Sequence, residues 1–264
     1  MCNGAITGSQ SLVHQKPSST IITSSLATGW LNLSAPKKIG ILGGTFDPPH
    51  LGHLKLATHF TKLFGLDELL LIPSGEPWQK ASSITKAEIR LRLTEAAAID
   101  LAKAFLYLKL STVIGVDRLE IDRVGPSYAI DTIKTLRVRY GSDARLIWLM
   151  GVDSFLSLPS WHSWTELLHL VHFAVATRPE YELETEMSEE IRDLLTNHQT
   201  LDASALENTP SGRIYLDKTL AVDLSSTDLR NCLRPLSGAP LGPEQIPSHA
   251  LEIITNLGLY KHSS

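Results

Sequence analysis

The sequence predicts an α/β fold around a parallel β-sheet, because short apolar runs alternate with stretches of helical periodicity. Residues 37–42 form an apolar run that suits a buried parallel strand, and apolar residues recur at helical spacing over residues 54–64. Further strands are predicted at residues 69–72, 105–110, 145–150, 172–176 and 214–216, and helices at residues 86–101 and 243–257. In the first of these helices, Arg90 and Arg92 are expected to be solvated.

The composition limits the classes of function. A chain of 264 residues can bury one sizeable core, and we expect a single domain. Its formal net charge of −4 gives no general basic surface, so nucleic acid is not an expected partner. The two cysteines, Cys2 and Cys232, cannot make a disulfide framework and fit a reducing cytoplasm. No apolar run approaches the length of a membrane span, and the sequence leaves homo-oligomerisation open.

The first 36 residues contain no Asp or Glu and many Ser and Thr, a composition that predicts disorder. They lack the arginines of a typical transit peptide and the apolar stretch of a secretory signal. An extension without function, or a mis-assigned start, is favoured over a targeting segment. We therefore expect the folded domain to span residues 37–264, with the acidic segment 180–212 as a surface insertion.

The stretch GGTFDPPHLGH, residues 43–53, lies between the first predicted strand and the first helix. Adjacent glycines let backbone approach a ligand, and such a turn directs N–H groups and the positive helix end at one point, which favours an anion. A purely structural turn is an equal alternative. His50 and His53 can face the same side and, with Thr45, form a donor cluster of phosphate size. Half a metal site is less favoured, because only Asp47 adds a carboxylate.

The stretch VDLSSTDLR, residues 222–230, places three hydroxyl residues before a predicted helix. Ser225 or Ser226 could simply cap that helix. With Thr227 and with Arg230 one turn further on, the same helix start would also suit a triphosphate. The N–H groups, the helix end and the guanidinium would then all point in one direction.

Both stretches resemble signatures of the nucleotidylyltransferase superfamily. His50-Leu51-Gly52-His53 is similar to its Thr/His-x-Gly-His element, and residues 224–230 are similar to its Ile-Ser-Ser-Thr-x-Ile-Arg element. The longer run 43–50 looks like the bacterial nicotinate-nucleotide adenylyltransferases in particular. The resemblance covers roughly residues 37–260 except 180–212. It implies a doubly wound, Rossmann-like parallel sheet with helices on both faces.

The same resemblance implies an activity, the transfer of AMP from ATP to nicotinic acid mononucleotide in NAD biosynthesis. The products would be deamido-NAD and pyrophosphate, and His50, His53 and Arg230 would be catalytic. Mg2+ would be bound mainly by ATP, because the motifs contain no carboxylate cage. The residues expected to bind ATP are Gly43, Gly44, Thr45, Phe46, Gly151, Asp153, Arg178, Ser225, Ser226 and Thr227.

Two of these ATP-binding residues have structural alternatives. Asp153 follows the strand 145–150 and could accept hydrogen bonds from ribose hydroxyls or serve as a helix N-cap. Its match to the Gly-x-Asp element of the family favours binding. Arg178 could stack on adenine or donate to a neighbouring carbonyl.

The residues expected to bind the mononucleotide are Lys80, Ser127, Tyr128, Thr132 and Trp161. Lys80 follows the carboxyl end of the second strand, although by itself it would be taken as a solvated lysine. Its loop departs from the Pro-Pro-His-Lys pattern of the family, so a role for a loop histidine does not carry over.

The other mononucleotide contacts come from two aromatic stretches. The run 123–132 is similar to the Arg-x-Gly-Pro-Ser-Tyr-x-x-Asp-Thr segment of the family, whereas Pro126 and Ser127 alone indicate only a capped helix start. Trp161 could offer its ring to a planar heterocycle, the role that the resemblance implies, and Trp164 is expected in the core.

Alternative functions remain at this stage. Another adenylyl- or cytidylyltransferase, such as phosphopantetheine adenylyltransferase, is disfavoured by Trp161 and the Gly-Pro-Ser-Tyr run. A nucleotide sensor without catalytic activity is disfavoured by His50, His53 and Arg230. A dinucleotide-dependent oxidoreductase is disfavoured because no Gly-x-Gly-x-x-Gly follows the first strand. The sequence does not decide between nicotinate and nicotinamide mononucleotide.

Overall fold

The computed structural model describes residues 19–22, 36–76, 84–177, 186–220, 226–233 and 242–260. Three of the predicted site residues, Lys80, Arg178 and Ser225, lie outside these ranges. None of the described helices is long and apolar enough to cross a membrane.

Within these ranges eight strands form one sheet, in the order β1-β4-β3-β2-β5-β6-β8-β7. All neighbouring strands run parallel except β1 and β4, which are antiparallel. The predicted parallel sheet is therefore confirmed. The strands are β1 (Ser19–Ile22), β2 (Lys38–Gly44), β3 (Glu68–Pro73), β4 (Val113–Asp117), β5 (Arg145–Gly151), β6 (His172–Ala176), β7 (Gln199–Thr200) and β8 (Ile214–Asp217).

Helices follow most of the strands, as the crossover connections of a parallel sheet require. They are α1 (Leu51–Phe64), α2 (Ala87–Tyr107), α3 (Ala129–Tyr140), α4 (Val152–Leu156), α5 (Trp164–Leu170), α6 (Glu189–His198), α7 (Ser226–Cys232) and α8 (Ser248–Leu257). Short 3-10 turns occupy Leu158–Ser160, Ala203–Glu207 and Pro243–Gln245.

The sheet is covered on both faces because alternate strand residues point in opposite directions. Leu70 and Ile72 of β3 pack in one core with α3, α5 and α6. Leu69 and Leu71 pack in the other core with α1 and α2. A third, smaller cluster joins α2 to α7 and α8. This arrangement confirms the doubly wound fold class.

The strand order reverses between β2 and β5. The chain passes from β2 to β3 and β4 on one side of the sheet, and then returns to form β5 on the other side of β2. In doubly wound sheets the carboxyl ends at such a reversal bound a ligand crevice. Here β2 ends at Gly44 and β5 ends at Gly151.

Two predicted elements differ from the structure. The strand predicted at residues 105–110 is wrong, because α2 continues to Tyr107 and the next strand is Val113–Asp117. Phe105 is fully buried on the same helix face as the earlier apolar residues of α2, and a short apolar run does not distinguish a strand from a helix end. The terminal helix begins at Ser248 rather than at residue 243, with Pro247 as its N-cap.

The segments expected at the periphery contribute to the fold where they are described. Ser19–Ile22 of the predicted disordered extension pairs with β4 as an edge strand. In the predicted surface insertion, Ile191 and Leu195 of α6 are buried in one core and Leu206 in the other. That part of the insertion is therefore not confined to the surface, and the domain boundaries stay predictions.

Candidate active site

A cavity of about 320 Å3 opens at the carboxyl ends of β2 and β5. Nine predicted site residues line it, and these are Gly43, Gly44, Thr45, Phe46, His53, Ser127, Tyr128, Trp161 and Ser226. Residues far apart in the sequence thus converge on the crevice that the strand reversal creates.

A second cavity of about 120 Å3 adjoins the first, and its lining includes His50, His53, Gly151, Asp153 and Thr177. His53 lines both cavities, so the histidine pair stands between them. Gly151 is the N-cap of α4, so the alternative reading of Asp153 as an N-cap is wrong. Two compartments that meet at hydrogen-bond donors suit a reaction between two bound substrates.

The two histidines are fixed relative to one another by the start of α1. His50 is the N-cap residue with extended backbone, and its amide donates to Nδ1 of His53 at 3.1 Å. Their ring centroids are 3.6 Å apart, and the ring of Phe46 packs 4.9 Å from that of His53. Because Nδ1 of His53 accepts a hydrogen bond, the neutral ring carries its proton on Nε2. His53 is therefore oriented as a hydrogen-bond donor.

His50 is held neutral by burial. Only 6% of its surface is exposed, and this desolvation lowers its pKa from 6.5 to about 4. None of the described residues hydrogen-bonds its buried Nδ1. An unpaired buried nitrogen costs free energy unless a bound ligand supplies a partner. His50 can thus act on a ligand through a neutral imidazole rather than through a positive charge.

Packing requires glycine at position 43 but not at position 44. A Cβ added at Gly43 would lie 2.7 Å from the indole of Trp148, so only glycine fits beside that ring. At Gly44 an added Cβ would make an ordinary contact of 3.4 Å with Phe46. Trp148 itself lines the larger cavity. Gly43 therefore lets the indole form the cavity wall.

Arg90 is buried, so the expectation that it is solvated was wrong, whereas Arg92 is exposed as expected. The guanidinium of Arg90 donates to the carbonyls of Thr45 at 2.9 Å and Gly75 at 2.7 Å. It also donates to the carbonyls of Ser74 and Thr85. These bonds tie the turn after β2 to the loop after β3. Helical periodicity gave no signal for this role, because the partners are backbone carbonyls distant in sequence.

Ser127 does not cap the following helix, which begins at Ala129 with Tyr128 as its N-cap. Its hydroxyl instead accepts a hydrogen bond from the amide of Gly75 at 2.9 Å, so it holds two cavity loops together. The prediction of a capping hydroxyl was therefore wrong, although Ser127 does reach the cavity.

Thr132 is fully buried and is not part of either cavity lining. Its hydroxyl donates to Oε1 of Glu120 at 2.7 Å. Glu120 lines the larger cavity, and burial raises the pKa of its carboxyl. Sequence reasoning missed Glu120, since one acidic residue ahead of a turn carries no distinctive signal.

Aromatic rings form one side of the larger cavity. Tyr128 stacks on His162 with ring centroids 4.4 Å apart, and Trp161 meets Trp148 edge-on at 6.1 Å. Trp164 packs against the core as expected, although it is only partly buried. His162 was missed, and only its position next to Trp161 could have indicated it.

The second signature stretch closes the site through α7. Ser226 donates to the carbonyl of Pro48 at 2.9 Å, and Arg230 donates to the carbonyl of Asp47 at 2.6 Å. Arg230 also donates to the hydroxyl of Thr227 at 3.1 Å. These contacts bring the two signature stretches together at the turn that precedes His50.

The fold and the two joined cavities define a nucleotide-binding α/β protein. A family model described as cytidylyltransferase-like matches residues 41–232, a range that runs from β2 to α7. The chain belongs to this cytidylyltransferase-like family of nucleotidyltransferases, and its relatives assign it to the nicotinate-nucleotide adenylyltransferases within it.

Those relatives match along nearly their whole length. A protein of Aeromonas salmonicida is 38% identical over 230 residues, which cover 87% of this chain and 99% of the relative. A protein of Methylococcus capsulatus is 35% identical over 222 residues, which cover 84% of this chain and 99% of the relative. Both are named probable nicotinate-nucleotide adenylyltransferase.

Solved structures share the fold at low sequence identity. The Plasmodium falciparum nicotinic acid mononucleotide adenylyltransferase complexed with NaAD superposes with a TM-score of 0.61 and 16% identity. The match covers 85% of this chain and 97% of that chain. The same Plasmodium enzyme complexed with APC gives a TM-score of 0.57 and 18% identity.

Proposed function

We propose that the protein transfers AMP from ATP to nicotinic acid mononucleotide, forming deamido-NAD and releasing pyrophosphate. The observation that carries this proposal is the pair of cavities that meet at His53 of the first signature stretch. The names of the bacterial relatives support the same reaction, and the NaAD complex of the Plasmodium enzyme is a dinucleotide complex on this fold.

The chemistry requires placement and charge stabilisation rather than a covalent enzyme intermediate. An oxygen of the mononucleotide phosphate attacks the α-phosphorus of ATP in line. The new P–O bond forms while the bond from the α-phosphorus to the bridging oxygen breaks, and pyrophosphate leaves with that oxygen. Holding the two phosphates in contact supplies much of the rate enhancement.

We assign the adenosine part of ATP to the smaller cavity, with Gly151 and Asp153 beside its ribose, and the mononucleotide to the larger cavity. Tyr128 and Trp161 would then face the nicotinate ring, since aromatic side chains suit a planar heterocycle. The reacting phosphates would meet at the boundary, where both histidines lie. The backbone of Gly43, Gly44, Thr45 and Phe46 would line the phosphate path.

The histidines would act as neutral hydrogen-bond donors. Nε2–H of His53 would donate to the phosphates as negative charge grows on the bridging oxygen. His50 would donate without carrying charge, because burial keeps its pKa at about 4. Arg230, Ser225, Ser226 and Thr227 would hold the β- and γ-phosphates, with the guanidinium of Arg230 exchanging the carbonyl of Asp47 for phosphate oxygen.

A divalent cation is expected to accompany ATP, and we propose Mg2+. In the part of the chain that the structure describes, no three His, Cys, Asp or Glu side chains are grouped to hold a metal ion. The phosphates of ATP would therefore provide most of the ligands of the cation. The positive charge of the cation would offset the negative charge of the phosphates.

Three further assignments extend the proposal. Lys80 and Arg178 keep their predicted roles towards the mononucleotide and adenine. Thr132 is better assigned to the support of Glu120 than to direct contact, because its hydroxyl is buried against that carboxyl. The cytoplasmic location expected from the cysteine content also stays a prediction.

Pyrophosphate release from ATP and Mg2+ tests the function. Nicotinic acid mononucleotide, nicotinamide mononucleotide and phosphopantetheine are offered in separate reactions. Fast release with the first substrate alone is expected, and release with the first two would indicate a permissive base site. Release with phosphopantetheine alone would refute the substrate assignment. No release with any substrate, despite measurable ATP binding, would favour a nucleotide sensor.

A further inference from the structure

The turn between β2 and α1 is held by side chains from three distant parts of the chain. Arg90 of α2 donates to the carbonyl of Thr45, and Arg230 of α7 donates to the carbonyl of Asp47. The hydroxyl of Tyr260, three residues beyond the end of α8, donates to Oδ1 of Asp47 at 2.6 Å. The turn that carries the histidine pair is thus completed by a residue near the end of the described chain.

The carboxylate of Asp47 is an internal part of this turn. It is 1% exposed, and it lines neither of the two cavities. Its second oxygen, Oδ2, accepts a hydrogen bond from the amide of Thr85 at 3.1 Å. A buried carboxylate needs such partners on its oxygens to offset its desolvation. Asp47 therefore acts on substrates only through the geometry of the turn.

A residue with positive φ lies on each side of the Tyr260–Asp47 contact. Tyr260 has a φ of +65°, and Phe46, adjacent to Asp47, has a φ of +49°. Residues other than glycine rarely adopt this region and keep it only where the surrounding structure imposes it. Burial also raises the pKa of Tyr260, which keeps its hydroxyl protonated as a donor at neutral pH.

We propose that Tyr260 is a positioning residue, which sets the catalytic geometry of His50 and His53 by holding the carboxylate of Asp47. The proposal rests on the proposed adenylyl transfer, since that reaction depends on where His53 donates. His50 follows Asp47 by three residues, and its amide fixes Nδ1 of His53. A shift at Asp47 is therefore transmitted to both imidazoles.

The expected phenotype of Tyr260→Phe is a fall in kcat. Removal of the hydroxyl leaves Oδ1 of Asp47 without its donor, and the turn relaxes by a fraction of an ångström. Misplacement of about 1 Å can cost about a hundredfold in rate, so we expect kcat to fall by about tenfold. The KM for ATP should change by less than about twofold, because the interaction that weakens is the hydrogen bond from His53 to the bridging oxygen, which strengthens in the transition state.

Tyr140→Phe is the matched control. Tyr140 is also partly buried, and its hydroxyl donates to Oε1 of Glu68 at 2.7 Å. Glu68 is the first residue of β3, so this phenol–carboxylate bond lies at the opposite end of the sheet from the cavities. The control should lose comparable stability in urea unfolding while its kcat stays within about twofold of wild type.

Steady-state kinetics and urea unfolding are measured on wild type and both variants. Inactivity of the wild type would refute the proposed function itself. With an active wild type, the positioning role is refuted if Tyr260→Phe keeps its kcat or if Tyr140→Phe loses as much. A rise in the KM for ATP as large as the fall in kcat would also refute it, because it would indicate a binding defect.

Asp47→Asn provides a second test that does not depend on the stability of the tyrosine variant. It removes the charged acceptor but keeps the backbone carbonyl to which Arg230 donates. If Tyr260 acts through Asp47, the double variant should lose no more kcat than the more impaired single variant. Multiplicative losses would show independent roles and would overturn the inference.

Discussion

Acidification should destabilise the protein through His50, and the size of the effect can be worked out from its burial. The pKa of this histidine falls from 6.5 to about 4 because burial disfavours the charged ring. Between these values the unfolded chain binds a proton that the folded protein does not. The contribution of the neutral His50 to the unfolding free energy is therefore fully present above pH 6.5 and is lost as the pH falls towards 4.

The full shift corresponds to about 3 kcal/mol, and about 2 kcal/mol of this should already be lost at pH 5. The comparison is between wild type and His50→Gln, in which the titrating group is absent. Urea unfolding of both proteins at pH 7.5 and pH 5 gives the change in unfolding free energy with pH. The loss on acidification should be about 2 kcal/mol smaller in the variant.

His172 provides an independent check of the same reasoning. It is fully buried, it bonds the carbonyl of Thr209 and the amide of Arg213, and burial lowers its pKa to about 4. The loss of unfolding free energy between pH 7.5 and pH 5 should therefore be smaller by a similar amount in His172→Gln. In the double variant it should be smaller by the sum of the two single effects. Equal acid losses in wild type and His50→Gln would refute the assignment of a neutral, buried His50.

Three other variants test separate features of the site. His53→Ala should lower kcat by about a hundredfold or more with little change in ATP binding, and equal losses in both would argue against a transition-state role. Glu120→Gln should be more stable relative to wild type at pH 8 than at pH 4. The raised pKa of Glu120 means that its ionisation destabilises the wild type only at the higher pH. The same difference between variant and wild type at both pH values would contradict the burial of Glu120. Gly75→Ala should cost about 2 kcal/mol or more in thermal unfolding, because the new Cβ would lie 2.1 Å from the carbonyl of Glu120. Gly115→Ala, whose new Cβ would lie 3.1 Å from the terminal methyl Cδ2 of Leu70 rather than against backbone, is its control and should cost less.

The sequence was sufficient to predict an element of secondary structure where its local pattern of apolar residues matches its burial in the fold. Strands β3, β5, β6 and β8 were predicted, whereas β4 and β7 were not. Parallel strands buried on both faces are continuously apolar, as in β5 and β6. The same criterion failed at residues 105–110, where the apolar run is the end of a long helix. The doubly wound order came from the resemblance, since periodicity alone does not determine which strands are neighbours.

The candidate site was predictable only where its residues belong to one stretch. His50 and His53 could be paired from their spacing, because one helix start places both. Arg90 and Tyr260 could not be found in this way, because their partners are backbone carbonyls or a carboxylate distant in the chain. Ser127 was placed in the right loop with the wrong partner, since its acceptor role depends on Gly75 from the loop after β3.

The contact between Tyr260 and Asp47 also has a consequence for synthesis of the protein, because its two ends are 213 residues apart. At translation rates of about 5 to 20 residues per second, the ribosome makes Asp47 roughly 10 to 40 seconds before Tyr260. During that interval the histidine turn exists without its last hydrogen bond. If Tyr260 has the proposed positioning role, a product truncated before α8 would keep both histidines but lack the hydroxyl that holds Asp47.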